Sequence, residues 1–351
     1  MIRRLIVLIL VVSSILGCQE NATEEADSKV YKRQVLSFGT QIDITLYDVE
    51  QEKAAEAINH IEAQLDVMHD QWHAWRKSSL TKLNQQLVSG EPFVADENIL
   101  PLVIESKRLY QLSDGLFNPA IGKLIELWGF YRDNPQLNEA IPEDDDIKRL
   151  LKSNPNMNDI TITDGLMSGS NTDLQIDFGG YAKGYGVDQL TTQLISQGID
   201  NALINAGGDI RAIGQVGDRP WKIAIQHPNK SEALGWIELE HNENVFSSGD
   251  YRRNFISQGK SYHHIIDPRT GYPSEHARAV TVIHSNGAVA DASATALMVA
   301  SSEQWFDIAK KIGLKHILIV DRDGKLYCDK LFAKRLHLMD ADDQLLILGT
   351  L

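Results

Sequence analysis

The chain has 351 residues, 43% of them hydrophobic and 23% charged, enough to bury a sizeable core in one large or two closely joined domains. That composition excludes a small disulfide-stapled module, wholesale disorder and a polytopic membrane protein. With 34 basic residues against 48 acidic ones the formal charge is −14, the wrong field for a nucleic-acid partner.

At the N-terminus, Arg3 and Arg4 precede an apolar run from Leu5 to Val12, then Ser13-Ser-Ile-Leu-Gly-Cys18. A basic end and a short apolar stretch read as a secretory leader over residues 1–17; a membrane span needs about 20 apolar residues. The Ile-Leu-Gly-Cys ending resembles a bacterial lipobox, which makes Cys18 the expected lipidated first residue of the mature protein. Acyl chains contribute about 0.8 kcal/mol per buried methylene, so a multiply acylated Cys18 would anchor the protein to a membrane. Residues 18–29 read as a polar tether and residues 30–351 as the domain.

Val30 to Ser37 and Gln41 to Tyr47 predict two strands around Phe38-Gly39-Thr40. Ala54, Ala57, Ile58, Ile61, Leu65 and Met68 recur at helical spacing, so a helix runs from Glu52 to about Asp70. Helices are expected over Asn98 to Leu112 and Pro119 to Phe130, then a loop from Arg132 to Asp146 whose acids open a further helix. Leu174, Ile176 and Phe178 alternate with Gln175 and Asp177 as in a strand, and Val187, Leu190 and Leu194 place a helix directly after it. Shorter strands are expected at Asn201 to Asn205, Trp221 to Gln226, Trp236 to Leu239, Val245 to Ser248 and Val280 to His284. Helices over Ala288 to Ala300 and Ser302 to Ile312 precede a strand at His316 to Val320, and Cys328 reads as a buried strand residue without chemistry. Strands and helices in irregular order indicate α+β.

Three segments carry chemistry. In Asp177-Phe-Gly-Gly180-Tyr-Ala-Lys183-Gly184, paired glycines leave a strand and enter a helix, so free backbone N–H groups and the Lys183 ammonium face an anion. It is neither a dinucleotide fingerprint nor a P-loop, and a Gly-rich turn with a surface lysine explains it equally well. In Ala290-Asp291-Ala-Ser-Ala294-Thr295, Asp291 and Thr295 stand at i and i+4 and share one helix face. A carboxylate, a hydroxyl and nearby carbonyls are the hard oxygen set that suits Mg²⁺; the alternative is a helix packed closely through its alanines. In Tyr262-His263-His264-Ile265-Ile266-Asp267-Pro-Arg-Thr-Gly271, adjacent histidines in a strand point to opposite faces, so at most one is functional. Smaller patches are Asn205 to Asp209, Ser247 to Tyr251, Leu116-Phe117-Asn118, and the aromatic group Trp72, His73, Trp75.

Taken in this order, the segments resemble the FAD:protein FMN transferases of the ApbE family, over nearly the whole mature chain. The resemblance implies an α+β fold of two interleaved subdomains with mixed and antiparallel sheets and an FAD cleft between them. It implies Mg²⁺-dependent transfer of FMN from FAD to a Thr or Ser hydroxyl of a partner protein, with release of AMP. Mg²⁺ ligands would be Asp291, Thr295 and the backbone oxygens of Gly180 and Ala294. Flavin and adenosine contacts would come from Phe38, Trp75, Leu116, Phe117, Asn118, Asp177, Lys183 and Ile265. Phe38 stands where Met is usual and Trp75 where Tyr is frequent. Lys183 and Asp291 would serve the chemistry, and His264 would accept the hydroxyl proton, with His263 or Asp250 as alternatives. Implied acceptors are membrane electron-transfer subunits of the sodium-pumping quinone reductase or Rnf type, and the expected location is the periplasm-facing side of a bacterial envelope. A Mg²⁺-dependent FAD pyrophosphatase and a non-catalytic, lipid-anchored flavin-binding protein are the alternatives.

Overall fold

The computed structural model describes residues 29–132, 141–340 and 343–351. The expected leader, Cys18, the tether up to residue 28 and part of the Arg132 to Asp146 loop lie outside those residues.

The strand Thr40–Tyr47 alternates strictly, with Ile42, Ile44 and Leu46 fully buried. Against them lies the helix Gln51–Trp72, whose Ala54, Ala57, Ile61, Leu65, Met68 and Trp72 form one buried stripe. A register slip of one residue would turn all three strand residues to solvent, so this seam specifies the pairing. Among the described residues the main sheet has nine strands. Their order is Val30–Ser37, Thr40–Tyr47, Ala202–Ala206, Asp209–Ile213, Asn244–Gly249, Ala277–His284, His316–Asp321, Leu326–Asp329 and Leu345–Gly349. Neighbours are antiparallel except the last pair, which is parallel. Strands from both halves of the chain thus join one mixed sheet in chain order, without interleaving, and the class is the α+β expected.

The two faces bury different partners. Val280, Val282, Ile317 and Ile319 join the core under the helices, including the nearly all-buried helix Gly287–Val299. Their alternates Ala279, Ile283, Leu318 and Val320 pack on a three-stranded sheet of Trp221–Gln226, Ala233–Leu239 and His337–Leu338. A third cluster gathers Trp128, Phe130, Ile147 and Leu150 around Phe255 of the hairpin Asn254–Ser257/Lys260–His263.

Three expectations change. Residues 174–178 alternate in burial as predicted but form no ladder. Their backbone pairs with the Asn84 side chain, which accepts from Ile176 N (2.8 Å) and donates to Ile176 O (2.9 Å). On the other edge, Gly122 N donates to Gln175 O (2.8 Å) and Asp177 N to Pro119 O (2.9 Å). Asn84 belongs to a helix absent from the sequence reading, Ser79–Ser89, opened by a Ser78/Thr81 capping box and closed by Gly90. The helix expected over Pro119 to Phe130 is short, Gly122–Leu127, because Pro119 and Ala120 give their carbonyls to 175–177. The helix expected from Ser302 starts at Trp305. Cys328 is fully buried in Leu326–Asp329, as expected.

Candidate active site

The bend at residues 177–181 is braced from within. Asp177 accepts Gly179 N (2.6 Å) on Oδ1 and Trp75 Nε1 (2.9 Å) on Oδ2. Burial pushes its carboxyl up, and these two donors oppose the rise. Trp75 is held in turn against Tyr131, ring centroids 5.5 Å apart.

Past the bend, the helix Ala182–Ser196 crosses Gly287–Val299 at close range. Asp188 from the first helix accepts Gly287 N (2.7 Å) and Ala288 N (3.2 Å), satisfying free donors at the start of the second. Asp291, 4% exposed, answers by accepting Gly184 N (3.0 Å). The crossing therefore places Asp291 beside Lys183, whose Nζ lies 3.6 Å from Asp291 Oδ2 and 3.3 Å from Asp209 Oδ2. Burial works to lower the Lys183 pKa, but Asp291 and Asp209 outweigh it and hold the ammonium charged. Burial pushes Asp291 up, only partly countered by Lys183, with Asp209 adding like-charge repulsion. Two carboxylates thus share one ammonium.

Of the oxygen donors expected for Mg²⁺, Asp291, Ala294 and Thr295 stand on the helix Gly287–Val299, and Gly180 faces Thr295. A Cβ added at Gly180 would lie 3.1 Å from Thr295 Oγ1, so the glycine bend leaves a cradle facing the hydroxyl one turn after Asp291. Ala294 is fully buried between them in sequence. Among the described residues no three His, Cys, Asp or Glu side chains gather into a metal cage. One carboxylate, one hydroxyl and carbonyls fit a hard cation that completes its shell with water and substrate phosphates.

The remaining predicted residues divide by role. Phe38 and Gly39 close the first hairpin with φ of +52° and +69°, an uncommon conformation for phenylalanine. The Phe38 ring stacks on Trp72 at 5.8 Å and lies over Gly186 of the same helix that carries Lys183. Leu116, Phe117 and Ile265 are 3, 3 and 6% exposed and belong to the main core. The Asn118 side chain is engaged locally, accepting Ala120 N (3.1 Å) and donating to Pro155 O (3.0 Å).

The three candidate proton acceptors differ in what holds them. His263 is buried, with Nε2 2.7 Å from Ser274 O and Nδ1 accepting Ile265 N at 3.3 Å, so both ring nitrogens hold the turn. Asp250 is clamped by Arg322 (2.7 Å) and Arg278 (3.4 Å). His264 has Nδ1 3.1 Å from Arg253 O, an atom that only accepts. Nδ1 therefore carries the proton and Nε2 keeps its lone pair. Burial first, then the neighbouring His263 and Arg253, lower the His264 pKa to about 3, so the ring is neutral.

Two residues of this cluster went unassigned in the sequence. Asp209 lies in the noted Asn205 to Asp209 patch, but its pairing with Lys183 needs the sheet. Arg252, beside the Ser247 to Tyr251 patch, donates to Gly207 O in the turn between Ala202–Ala206 and Asp209–Ile213.

A sequence model of the ApbE family matches residues 38–318. A FAD:protein FMN transferase of Rhodobacter capsulatus is 37% identical over 303 residues, 86% of this chain and 58% of that protein. The chain thus spans little more than half the length of that relative. A Vibrio cholerae FAD:protein FMN transferase is 34% identical over 268 residues, 75% of this chain and 79% of that protein. The crystal structure of the ApbE protein from Thermotoga maritima superposes with a TM-score of 0.79 at 29% identity, covering 88% of this chain and 99% of that one. The Vibrio cholerae flavin transferase ApbE gives 0.76 at 30% identity, covering 88% and 100%.

Proposed function

Because the chain belongs to the ApbE family, we propose that it transfers FMN from FAD to a Thr or Ser hydroxyl of a partner protein and releases AMP. The observation that carries this reading is the Lys183 ammonium shared by Asp209 and Asp291 at a glycine bend facing Thr295. Such a cluster suits a diphosphate accompanied by a divalent cation. Asp291, Thr295 and the carbonyls of Gly180 and Ala294 would hold Mg²⁺. When bound, that ion would neutralise charge on the diphosphate as the leaving oxygen departs.

In the proposed step the acceptor hydroxyl oxygen bonds to the FMN-side phosphorus while the bond from that phosphorus to the bridging oxygen breaks. AMP leaves with the bridging oxygen. The hydroxyl proton passes to His264 Nε2, whose basicity the incoming diphosphate's negative charge would raise. Lys183 faces the charge developing on the phosphoryl oxygens. Trp75, braced on Asp177, and Phe38, stacked on Trp72, offer ring faces for the flavin.

The lipobox-like leader supports anchorage through Cys18 in a bacterial envelope, with acceptors among membrane electron-transfer subunits of the sodium-pumping quinone reductase or Rnf type. The test is to incubate purified protein with FAD, Mg²⁺ and a candidate acceptor and weigh the acceptor by mass spectrometry. One added FMN per acceptor with equimolar AMP is expected. FMN and AMP released at the same rate without acceptor would make the protein a pyrophosphatase, and stable FAD with no AMP in either case would make it a binding protein.

A further inference from the structure

We propose that the cavity between the main sheet and the small three-stranded sheet is a second oxyanion subsite, with Arg252 as the cation that binds the ligand. The cavity has a volume of about 210 Å³, with Asn205, Gly208, Ser247 and Arg252 on its polar side and Ile225 and Val245 on its apolar side.

It opens where the main sheet splays. Asp209–Ile213 and Asn244–Gly249 pair only at Arg211 with Asn244 and Ile210 with Val245. Beyond that point Ser247 N donates to Asp209 Oδ1 (3.1 Å) in place of a strand partner. The other oxygen of the same carboxylate faces Lys183. One buried side chain therefore joins the cavity wall to the cation cluster.

Arg252 is held at this junction. Nη1 donates to Gly207 O, and the Tyr251 side chain hydrogen-bonds the same guanidinium. A Cβ at Gly208 would sit 2.6 Å from Arg252 Nη2, so the guanidinium lies there because residue 208 has no side chain. Its Nε is buried and has no hydrogen-bond partner among the described residues. Arg211 and Arg278 also have a buried Nε without an acceptor, but of the three only Arg252 lines this cavity, and an oxyanion from a ligand is what its planar fork suits. Arg252 also sits near enough to Lys183 to oppose the rise of that ammonium's pKa. Once Asp291 is committed to a metal, as the transferase reading requires, Lys183 and Arg252 together exceed Asp209 in charge. That excess is met by an anion.

The oxyanion has two possible sources of shared chemistry, a phosphate of the nucleotide or a carboxylate of the acceptor segment. The subsite itself is tested on wild-type protein with arginine labelled by ¹⁵N, following the Arg252 Nε–H resonance during titration with AMP, FAD, inorganic phosphate and then an acceptor. Arg252→Gln and Arg252→Lys supply the affinities. If the source is the nucleotide, the resonance moves with AMP, and Arg252→Gln binds AMP and FAD about tenfold or more weakly, partly restored in Arg252→Lys. If it is the acceptor, FAD affinity holds and the acceptor KM rises by a similar factor at saturating FAD. A resonance unmoved by all four ligands overturns the subsite, as do affinities and KM within about twofold of wild type in a folded Arg252→Gln. Should no acceptor be modified while AMP still moves the resonance, the transferase reading falls and the subsite stands.

Discussion

Gly184 and Gly287 meet backbone to backbone: a Cβ on Gly184 would fall 2.1 Å from the Gly287 carbonyl oxygen and 2.8 Å from Asp291 Cβ. This contact sets the distance between the two helices that carry Lys183 and Asp291. Neither glycine has a turn to make here; what each supplies is the absence of a side chain.

Gly184→Ala should therefore separate the helices. Overpacking of this kind costs about 1–3 kcal/mol, read as a lower denaturant midpoint at unchanged m-value. FAD affinity should fall along with it, since the Asp291–Gly184 hydrogen bond lengthens. A variant with wild-type midpoint and affinity would mean the crossing is not the determinant of the site.

Asp291→Asn keeps the shape of the side chain and removes its charge. Loss of groups that only orient a metal ligand already costs about 10–100-fold in affinity or activity, so a direct ligand should cost at least ~10²-fold in FMN transfer. The Mg²⁺ titration should shift to higher concentration in the same measurement. Wild-type transfer at limiting Mg²⁺ would remove Asp291 from the metal site.

His264 gives a pH signature in stability. Its folded-state pKa is lowered from 6.5 to about 3, so between those values the unfolded chain binds the proton and the folded one does not. Its stabilising contribution is intact above about 6.5 and declines as the pH falls toward 3. His264→Gln should lower the slope of the unfolding midpoint against pH across that window, with wild type falling more steeply on acidification. His227, His263, His284 and His316 are also lowered, burial first, and slope the same way in both proteins, so the difference between the two curves reports the removal of His264. Superimposable curves would show that the ring titrates normally.

Asn84→Ala removes both partners of the Ile176 backbone. Each buried group left without a hydrogen bond costs about 1–3 kcal/mol, so a loss of at least ~2 kcal/mol is expected from thermal or urea unfolding. The bend at Gly179 and Gly180 follows directly, so FAD binding should weaken more than in a surface variant of equal stability. Unchanged binding at reduced stability would confine Asn84 to a structural role.

Several elements were legible because the signal is local. The stripe from Ala54 to Met68 predicts its helix from spacing alone, and the observed helix, Gln51–Trp72, runs slightly past the expected Glu52 to Asp70 at both ends. The Ser78/Thr81 box and Gly90 that bound Ser79–Ser89 are equally local signals, weakened by a Thr where Glu or Gln is usual. By contrast, residues 174–178 carry the period of a strand, yet their partner is a side-chain amide some 90 positions earlier, which no periodicity reveals.

From its sequence alone this protein had its α+β class, its family resemblance and the i, i+4 pairing of Asp291 with Thr295, because these depend on spacing along one element. Only the fold decided that Lys183 is shared by Asp209 and Asp291, that His263 is locked while His264 keeps Nε2 open, and that Arg252 meets an opening in the sheet. The physical reason is that charge pairing and burial act through space. The residues that tune one another here stand 11 to over 100 positions apart, and their chemistry exists only once packing has removed the water between them.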